Sequence, residues 1–225
     1  MSGILYVIAT PIGNLDDVSF RAVETIKNLD VLFCEDTRTT SRLLARHDIK
    51  VPLDSYREQA HERKTARLLE LLREGRSVGL VSDAGTPAVS DPGGRLVAAV
   101  ALEAPEARIV PLPGASAVAS LVSVCGFGGD GFDFRGFPPH KKGRTAFIAR
   151  ALESEYVTVL YESPHRIHKL LESITAAAPD RRLCIGRELT KIHETIYRGT
   201  AEEIRRQLDE TSAKGEFAVA IDRKK

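Results

Sequence analysis

The feature that most constrains the fold is a set of short, nearly all-apolar runs, each separated from the next by an amphipathic helical pattern. In the first half of the chain these runs cover residues 4–9, 31–35, 78–82 and 108–112. They are rich in β-branched residues, which is typical of strands in a parallel sheet that is covered on both faces. The helical patterns between them cover residues 18–29, 62–73 and 93–103. This alternation predicts an α/β fold.

The second half of the chain alternates in the same way. Strand patterns recur at residues 156–161, 183–187, 195–198 and 217–222. A helical pattern lies at residues 167–174, and Thr200 with Glu203 forms a capping box that opens another helix. Because proline and glycine interrupt the chain around Pro113, we place a domain boundary there. The expected domains are an N-terminal α/β domain of residues 1–113 and a C-terminal α/β domain of residues 114–225.

Capping residues indicate where several helices begin. Asp91 followed by Pro92 is a typical helix start, with Asp91 as the N-cap and Pro92 in the first turn. Thr37 is expected to cap the helix after the second strand, and Ser163 the helix at residues 167–174.

Composition bounds the class of protein. The chain has 225 residues, with 32 Lys and Arg against 31 Asp and Glu, and the net charge of +1 argues against bulk electrostatic capture of nucleic acid or membrane. Cys34, Cys125 and Cys184 are far apart and lack the CxxC spacing of a zinc site, so we expect no disulfide framework, no structural metal and a cytoplasmic location. We expect no signal peptide, because the chain starts without a basic segment before an apolar run. We expect no membrane span, because no stretch approaches the roughly 18 apolar residues that a span needs.

Three segments that follow strands in the first half could carry chemistry, because open α/β sheets bind ligands at the carboxyl ends of their strands. The segments are TPIGNL at residues 10–15, CEDTR at 34–38 and SDAGTP at 82–87. Asp83 could accept hydrogen bonds from a ligand, while Glu35 and Asp36 beside Arg38 could act as a base or position a substrate. Each segment could also be an ordinary turn with a helix cap, and the sequence leaves that alternative open.

Charged residues also follow two strands of the second half. YESPHR at residues 161–166 and RELTK at 187–191 either contribute to a site or form helix caps and surface ion pairs. Residues 139–144 (PHKKGR) are the densest basic cluster, which either contacts phosphates or is a solvated loop. His165 and His168 lie three residues apart without a matching acidic or cysteine cluster, so metal binding is not expected. The P-loop and GxSxG motifs are absent.

Together these segments resemble a known family. Their order and spacing, from about residue 5 to residue 222, match the tetrapyrrole (corrin/porphyrin) methylase superfamily, and within it the methyltransferases of small-subunit ribosomal RNA. The matching motifs are LYVIATPIGNLDD, CEDTR, LVSDAGTP with SDPG, LPGASA, LYESPHR, RELTKIHE and GEF. The resemblance implies a two-domain tetrapyrrole-methylase-like fold with S-adenosylmethionine in the cleft between the domains, and a homodimer.

The resemblance also implies an activity, the 2′-O-methylation of a cytidine ribose in the 16S rRNA of the small ribosomal subunit. Because an alcohol is a weak nucleophile, the reaction needs a group that accepts or polarises its proton. The candidate catalytic residues are Glu162, Glu188, Arg187, Lys191 and Glu35. The expected cofactor contacts are Pro11, Ile12, Asp83, Gly85, Thr86, Ser116, Ala117, Tyr161 and Ala218. The expected RNA contacts are Arg38, Lys141, Lys142, Arg144 and Arg166.

Two other functions stay open at this point. Methylation of a small, tetrapyrrole-like substrate is favoured by the low net charge and opposed by the basic residues 140–144 and by the TPIGNL and YESPHR segments. A cofactor-sensing module with the same pocket would bind S-adenosylmethionine without transferring its methyl group.

Overall fold

The computed structural model describes residues 2–56, 61–129 and 131–224. It divides into two compact units, Met1–Ser116 and Ala117–Lys225, which are called unit 1 and unit 2 below. The division falls three residues after the boundary expected from the sequence, because Ser116 stays with unit 1 and the next helix begins at Ala117. Residues 1, 57–60, 130 and 225, which the expected domains include, lie outside the described residues.

Unit 1 is built on a parallel sheet. Its strands are β1 (Ile4–Ile8), β2 (Val31–Cys34), β3 (Leu53–Ser55), β4 (Ser77–Leu80) and β5 (Arg108–Leu112). They are ordered β3-β2-β4-β1-β5, and every neighbouring pair runs parallel. The predicted strands are confirmed with small shifts at their ends. Strand β3 was not predicted, because three residues at a sheet edge are too short to show a periodicity.

Both faces of this sheet are covered, as the all-apolar strands predicted. The helices of unit 1 are α1 (Phe20–Lys27), α2 (Thr37–Arg46), α3 (His61–Arg73) and α4 (Gly93–Glu103). Side chains of α1 and α2, including Ile26 and Leu44, pack with Ile8 and Leu32 on one face. Side chains of α3 and α4 pack with Leu5 and Phe33 on the opposite face. Alternate residues of each strand therefore enter two separate cores.

Two predicted helix starts in unit 1 are wrong. Asp36, rather than Thr37, caps α2, because its Oδ1 accepts the backbone N–H of Arg38 at 2.8 Å. Pro92, rather than Asp91, occupies the N-cap position of α4. The carboxylate of Asp91 still accepts the N–H of Gly93 at 2.8 Å. Asp91 therefore caps a free N–H of the first turn of α4, although it lies one residue before the N-cap position.

Unit 2 is built on a mixed sheet. Its strands are β6 (Phe132–Phe134), β7 (Val157–Glu162), β8 (Arg182–Arg187), β9 (Thr195–Thr200) and β10 (Phe217–Ile221). They are ordered β6-β7-β10-β8-β9, with only the β6–β7 pair parallel. The last strand of the chain therefore inserts antiparallel between β7 and β8. Strand β6, another short edge strand, was not predicted.

The helices of unit 2 also lie on both faces of its sheet. They are α5 (Ala117–Cys125), α6 (Arg144–Leu152), α7 (Ile167–Ala177) and α8 (Ala201–Glu210). Helix α5 packs on one face, and α6, α7 and α8 pack on the other. The capping box at Thr200 and Glu203 is confirmed. The expected cap at Ser163 is wrong, since Arg166 occupies the N-cap position of α7 without a side-chain cap.

The helices in the described residues are too short or too polar to cross a lipid bilayer. Cys34, Cys125 and Cys184 are all buried free thiols.

Candidate functional site

The three candidate segments of unit 1 meet at one edge of its sheet. Strands β2, β4 and β1 are parallel neighbours, so their carboxyl ends lie side by side. Thr10 and Gly85 exchange two backbone hydrogen bonds of 2.9 and 3.0 Å. The Asp83 carboxylate accepts the N–H of Asp36 at 3.0 Å, and the Glu35 carboxylate accepts the N–H of Asp83 at 3.2 Å. These contacts join all three segments into one group, which we call the strand-end cluster.

The connectivity of the sheet favours ligand binding at this edge. The chain leaves β1 and β2 towards the helices on one face of the sheet and leaves β4 towards α4 on the other. Loops that part in this way leave space above the carboxyl ends of the strands, where open α/β sheets bind their ligands.

The loop at residues 82–91 is held in an unusual backbone conformation. Gly85, Ala88 and Ser90 have positive φ values of 80°, 72° and 70°. This conformation costs non-glycine residues about 1–2 kcal/mol each. It persists because the Asp91 carboxylate accepts the N–H groups of Ala88 and Gly93, at 2.9 and 2.8 Å. Backbone strain that is compensated in this way is typical of binding sites.

Carboxylates give the strand-end cluster a negative electrostatic character. Burial raises the pKa of Glu35, and the charges of Asp83 and Asp91 raise it further, against the lowering effect of the hydrogen bond from Asp83. The pKa of Tyr56 is raised by burial and by the same acidic neighbours. The Tyr56 hydroxyl donates to the carbonyl oxygen of Val81 at 2.9 Å and so supports the start of the loop. Tyr56 is not predicted from the sequence, because a single tyrosine after a three-residue strand carries no local signal.

Two glycines let the backbone of the cluster pack closely against neighbouring side chains. A Cβ on Gly85 would lie 3.3 Å from Ile12 Cγ2, and a Cβ on Gly114 would lie 3.0 Å from Ala9 Cβ. The hydroxyl of Thr86 donates to the carbonyl oxygen of Ala115 at 3.3 Å, which ties the LPGASA segment to the loop. The structure thus groups the predicted cofactor contacts of unit 1, which are Pro11, Ile12, Asp83, Gly85, Thr86 and Ser116.

The two charged loops of unit 2 also share a sheet edge. Strands β7 and β8 both run antiparallel to β10, so both end at the edge where β10 begins. Phe217 pairs with Glu162 on one side and with Arg187 on the other. The side chain of Tyr161, which precedes Glu162, projects to the opposite face of the sheet because side chains alternate along a strand.

Glu162 is not available as an exposed base. Its side chain is fully buried and pairs with Arg144 Nη2 and Arg166 Nε, each at 2.8 Å. The N–H of Ser163 donates to the same carboxylate at 2.8 Å. Arg144 is buried as well, with 6% of its side chain exposed. These three residues, which we call the buried triad, form ion pairs with one another. Burial of this kind argues against Glu162 as the acceptor of a substrate proton and against direct RNA contact by Arg144. Arg166, with 16% of its side chain exposed, stays a predicted RNA contact.

Glu188 and Lys191 form a second ionic group. Lys191 Nζ lies 2.9 Å from Glu188 Oε1 and 3.0 Å from Glu216 Oε2. Burial acts to raise the pKa of Glu188, but hydrogen bonds from Lys191 and the Glu216 N–H outweigh it and hold this pKa below its ordinary value. Burial acts to lower the pKa of Lys191, but both carboxylates outweigh it and raise that pKa. Glu188 has a positive φ of 51°, so this loop resembles residues 82–91 in its backbone strain.

Arg187 is held by backbone carbonyls. Its Nε donates to the carbonyl oxygen of Lys214 at 2.6 Å, and its Nη1 donates to that of His193 at 3.3 Å. With Glu188 it lines an open groove of about 730 Å³.

Tyr161, Ala117 and Ala218 come together on the α5 face of unit 2. The hydroxyl of Tyr161 accepts the N–H of Val118, which follows Ala117 at the start of α5, and burial raises the pKa of this phenol. The Tyr161 ring packs against Phe134, and Ala218 is its partner on β10.

The remaining predicted residues are exposed. Arg38 pairs with the carboxylate of Asp36 at its own helix start, with Nε 3.0 Å from Oδ1. Lys141 and Lys142 lie exposed before α6. His168 Nδ1 lies 3.8 Å from Asp209 Oδ1. Across the described residues, no group of three or more His, Cys, Asp or Glu side chains is placed to hold a metal ion.

Comparison with solved structures defines the class of the fold. Over 99% of this chain and 95% of the other, it is similar to the crystal structure of the methyltransferase CobJ, with a TM-score of 0.71 and 19% identity. A crystal structure of uroporphyrin-III-C-methyltransferase from Thermus thermophilus gives a TM-score of 0.67 at 21% identity, covering 97% and 94% of the two chains. The chain therefore has the α/β fold of the tetrapyrrole methyltransferases.

Sequence comparison shows the family. The family model of Tetrapyrrole (Corrin/Porphyrin) Methylases matches residues 4–205, and the chain belongs to this family. Two similar relatives are both named Ribosomal RNA small subunit methyltransferase I. The relative from Halalkalibacterium halodurans is 42% identical over 221 residues, covering 98% of this chain and 76% of that protein. The relative from Thermotoga maritima is 40% identical over 222 residues, covering 99% of each chain.

Proposed function

We propose that this protein transfers the methyl group of S-adenosylmethionine to the ribose 2′-oxygen of a cytidine in the 16S rRNA of the small ribosomal subunit. The observation that supports ribosomal RNA as the substrate is the 40–42% identity, over nearly the whole chain, to relatives named for small-subunit ribosomal RNA methylation. Methylation of a small tetrapyrrole is the second candidate, supported by the fold likeness to uroporphyrin-III-C-methyltransferase.

The strand-end cluster suits the proposed cofactor in charge and in shape. S-adenosylmethionine carries positive charge on its sulfur and on its amino group, and Glu35, Asp36 and Asp83 gather carboxylates at one edge. Asp83 is exposed at this edge, and Ile12 and Thr86 are half-buried, so a ligand can reach all three. We therefore propose that Pro11, Ile12, Asp83, Gly85, Thr86 and Ser116 hold the cofactor. Ala117, Tyr161 and Ala218 stay predicted contacts on the family resemblance.

Among the candidate carboxylates, we propose Glu35 as the group that takes the proton of the ribose hydroxyl. A base works best when its pKa approaches the working pH, and the pKa of Glu35 is raised, whereas that of Glu188 is lowered. The cofactor supplies a methyl group on a positively charged sulfur, which keeps the electron pair of the broken carbon–sulfur bond as the 2′-oxygen bonds the methyl carbon. Glu35 then holds the proton released from that oxygen.

The proposed activity is tested with purified protein, S-adenosylmethionine labelled in its methyl group, and three acceptors: 16S rRNA, small ribosomal subunits and a precorrin. The methylated nucleotide is located by mass spectrometry of ribonuclease fragments. The proposal expects label on the ribose of one cytidine. Label on a base, or on the precorrin alone, would overturn it.

The role of Glu35 is tested separately with Glu35→Gln. Loss of a general base lowers kcat by about 10²–10⁴-fold. The kcat is measured at saturating S-adenosylmethionine, so that a loss of cofactor affinity does not contribute to the difference. Glu24→Gln removes an exposed carboxylate of the same unit and serves as the matched control. Full turnover in Glu35→Gln would remove Glu35 from the mechanism without affecting the proposed substrate.

A further inference from the structure

A groove between helices α6 and α7 of unit 2 carries chemistry that the strand-end cluster does not use. It has a volume of about 510 Å³ and is open to solvent. Its floor is formed by alanine and isoleucine side chains of the two helices, and its polar lining is His140, Lys141, Arg144, Thr145, Lys169 and Ser173. We call this the α6–α7 groove.

The lining of the α6–α7 groove is basic. Lys141 comes from the segment before α6 and Lys169 from the first turn of α7, so residues distant in sequence bring two ammonium groups to one groove. Both side chains are exposed, and the lining includes no aspartate or glutamate. Within the described part of the chain, neither ammonium lies within 4.0 Å of a carboxylate oxygen. Two unneutralised cations on one concave surface attract an anion.

The buried triad adds positive charge beside the groove. Arg144, which lines the groove, and Arg166 together carry two positive charges against the single negative charge of Glu162. Arg144 Nε is buried and finds no hydrogen-bond acceptor among the described residues. An uncompensated positive charge that is screened from water favours an anion nearby.

The same triad positions the segment that carries Lys141. Arg144 Nη1 donates to the carbonyl oxygen of Pro139 at 3.4 Å, and Arg166 Nη1 donates to that of Pro138 at 3.1 Å. The backbone just before Lys141 is therefore tied to a buried ionic group instead of moving freely. A lysine on a fixed backbone loses less conformational entropy when it binds.

We propose that the α6–α7 groove binds the phosphodiester backbone of the RNA substrate, with Lys141 and Lys169 contacting phosphates. This inference rests on the proposed function. It places Lys141, an RNA contact expected from the sequence, in a defined groove and adds Lys169 of α7 as a further contact. Phosphate contacts of this kind position an RNA without reading its sequence. A net charge of +1 is compatible with RNA binding of this kind, because the positive charge is concentrated in the α6–α7 groove.

The test compares two double variants that remove the same charge. Lys141→Gln with Lys169→Gln empties the groove of its ammonium groups. Arg150→Gln with Lys50→Gln removes two exposed cations that do not line the groove. Affinity for protein-free 16S rRNA is measured by filter binding between 0.1 and 0.5 M salt, and folding is checked by circular dichroism. The affinity for S-adenosylmethionine should be unchanged in both variants.

Release of counterions sets the expected size of the effect. Each phosphate contact to single-stranded nucleic acid contributes about 0.7 to the slope of log K against log salt, so the groove variant should lose about 1.4 of slope. At 0.1 M salt this corresponds to about a 25-fold loss of affinity, against little change in the control. Equal losses in both variants, or a wild-type slope in the groove variant, would overturn the inference. An effect seen with assembled subunits but not with protein-free RNA would also overturn it, because it would indicate a protein partner.

The same experiment separates the inference from the proposed function. If the wild-type protein methylates 16S rRNA and the groove variant binds it as tightly, only the groove assignment fails. If the wild-type protein neither binds nor methylates the RNA, the proposed function fails and the inference fails with it.

Discussion

Replacing Glu162 with glutamine should destabilise unit 2 strongly and leave its solvent-exposed surface unchanged. The Glu162 side chain is fully buried, and its two pairing partners, Arg144 and Arg166, have 6% and 16% of their side chains exposed. Glutamine has nearly the same shape, so the core around it stays filled. The change removes the only negative charge of the buried triad. It also turns a side-chain amide NH₂ group towards the N–H donors of the two arginines.

The magnitude follows from the burial of the pair. Removing one partner of a buried ion pair costs about 3–5 kcal/mol, because the remaining charge stays buried without compensation. For a chain of 150–250 residues, each kcal/mol shifts the melting temperature by about 2–4 °C. Glu162→Gln should therefore lower the melting temperature by about 6–20 °C. Adding Arg166→Gln removes one of the two uncompensated cations and should recover part of that loss.

Thermal unfolding followed by circular dichroism is the assay, and the chain offers a matched control. Glu202 also lies between two arginines, Arg205 and Arg206, but on the exposed side of α8. Exposed ion pairs contribute little to stability, so Glu202→Gln should melt close to the wild type. Equal melting temperatures for Glu162→Gln and the wild type would refute the view that the triad needs its carboxylate charge.

Three further outcomes follow from the two sheet edges. Gly85→Ala places a Cβ 3.3 Å from Ile12 Cγ2 at a φ of 80°, so it should lower the free energy of unfolding by about 1–2 kcal/mol in thermal unfolding. It should also weaken the binding of S-adenosylmethionine, measured by calorimetry. An unchanged affinity would mean that this loop does not contact the cofactor. Tyr56→Phe leaves the buried carbonyl of Val81 without its donor and should cost about 1–3 kcal/mol in urea unfolding, whereas an unchanged urea midpoint would mean that water replaces the hydroxyl. Burial acts to raise the pKa of Glu188, but the hydrogen bonds to its carboxylate hold this pKa below the ordinary value of 4.5. The carboxylate of Glu188 therefore stabilises the fold above pH 4.5, and this stabilisation is lost as the pH falls through the folded-state pKa. Urea unfolding between pH 6 and pH 3 should show that loss in the wild type and not in Glu188→Gln, and parallel profiles would contradict the assignment.

Part of the site could be anticipated from the sequence. Apolar strands that alternate with helices predict a parallel sheet, and the carboxyl ends of parallel strands share an edge. The segments around Thr10, Glu35 and Asp83 were placed there on that argument, and the structure joins them by hydrogen bonds. These segments could be predicted because the hydrophobic period of a strand or helix is visible within a few residues, and because the direction of the strands decides which loops meet.

Other features needed the tertiary structure. The sequence predicts Glu162 as one of several carboxylates that could take the substrate proton, because it follows a strand in a segment that matches the family. Its burial depends on Arg144, 18 residues away, and on the alternation that turns it away from Tyr161. Tyr56 was missed because its partner Val81 lies 25 residues further along the chain.

The sequence by itself determined the α/β class, the alternation of buried and exposed residues, and the loops at which chemistry is expected. Only the tertiary structure decided which charges neutralise one another, which stay unpaired in the α6–α7 groove, and where the last strand inserts. The reason is physical. Periodicity and capping act over a few residues, whereas ion pairing and burial depend on distances between segments that only the packed chain brings together.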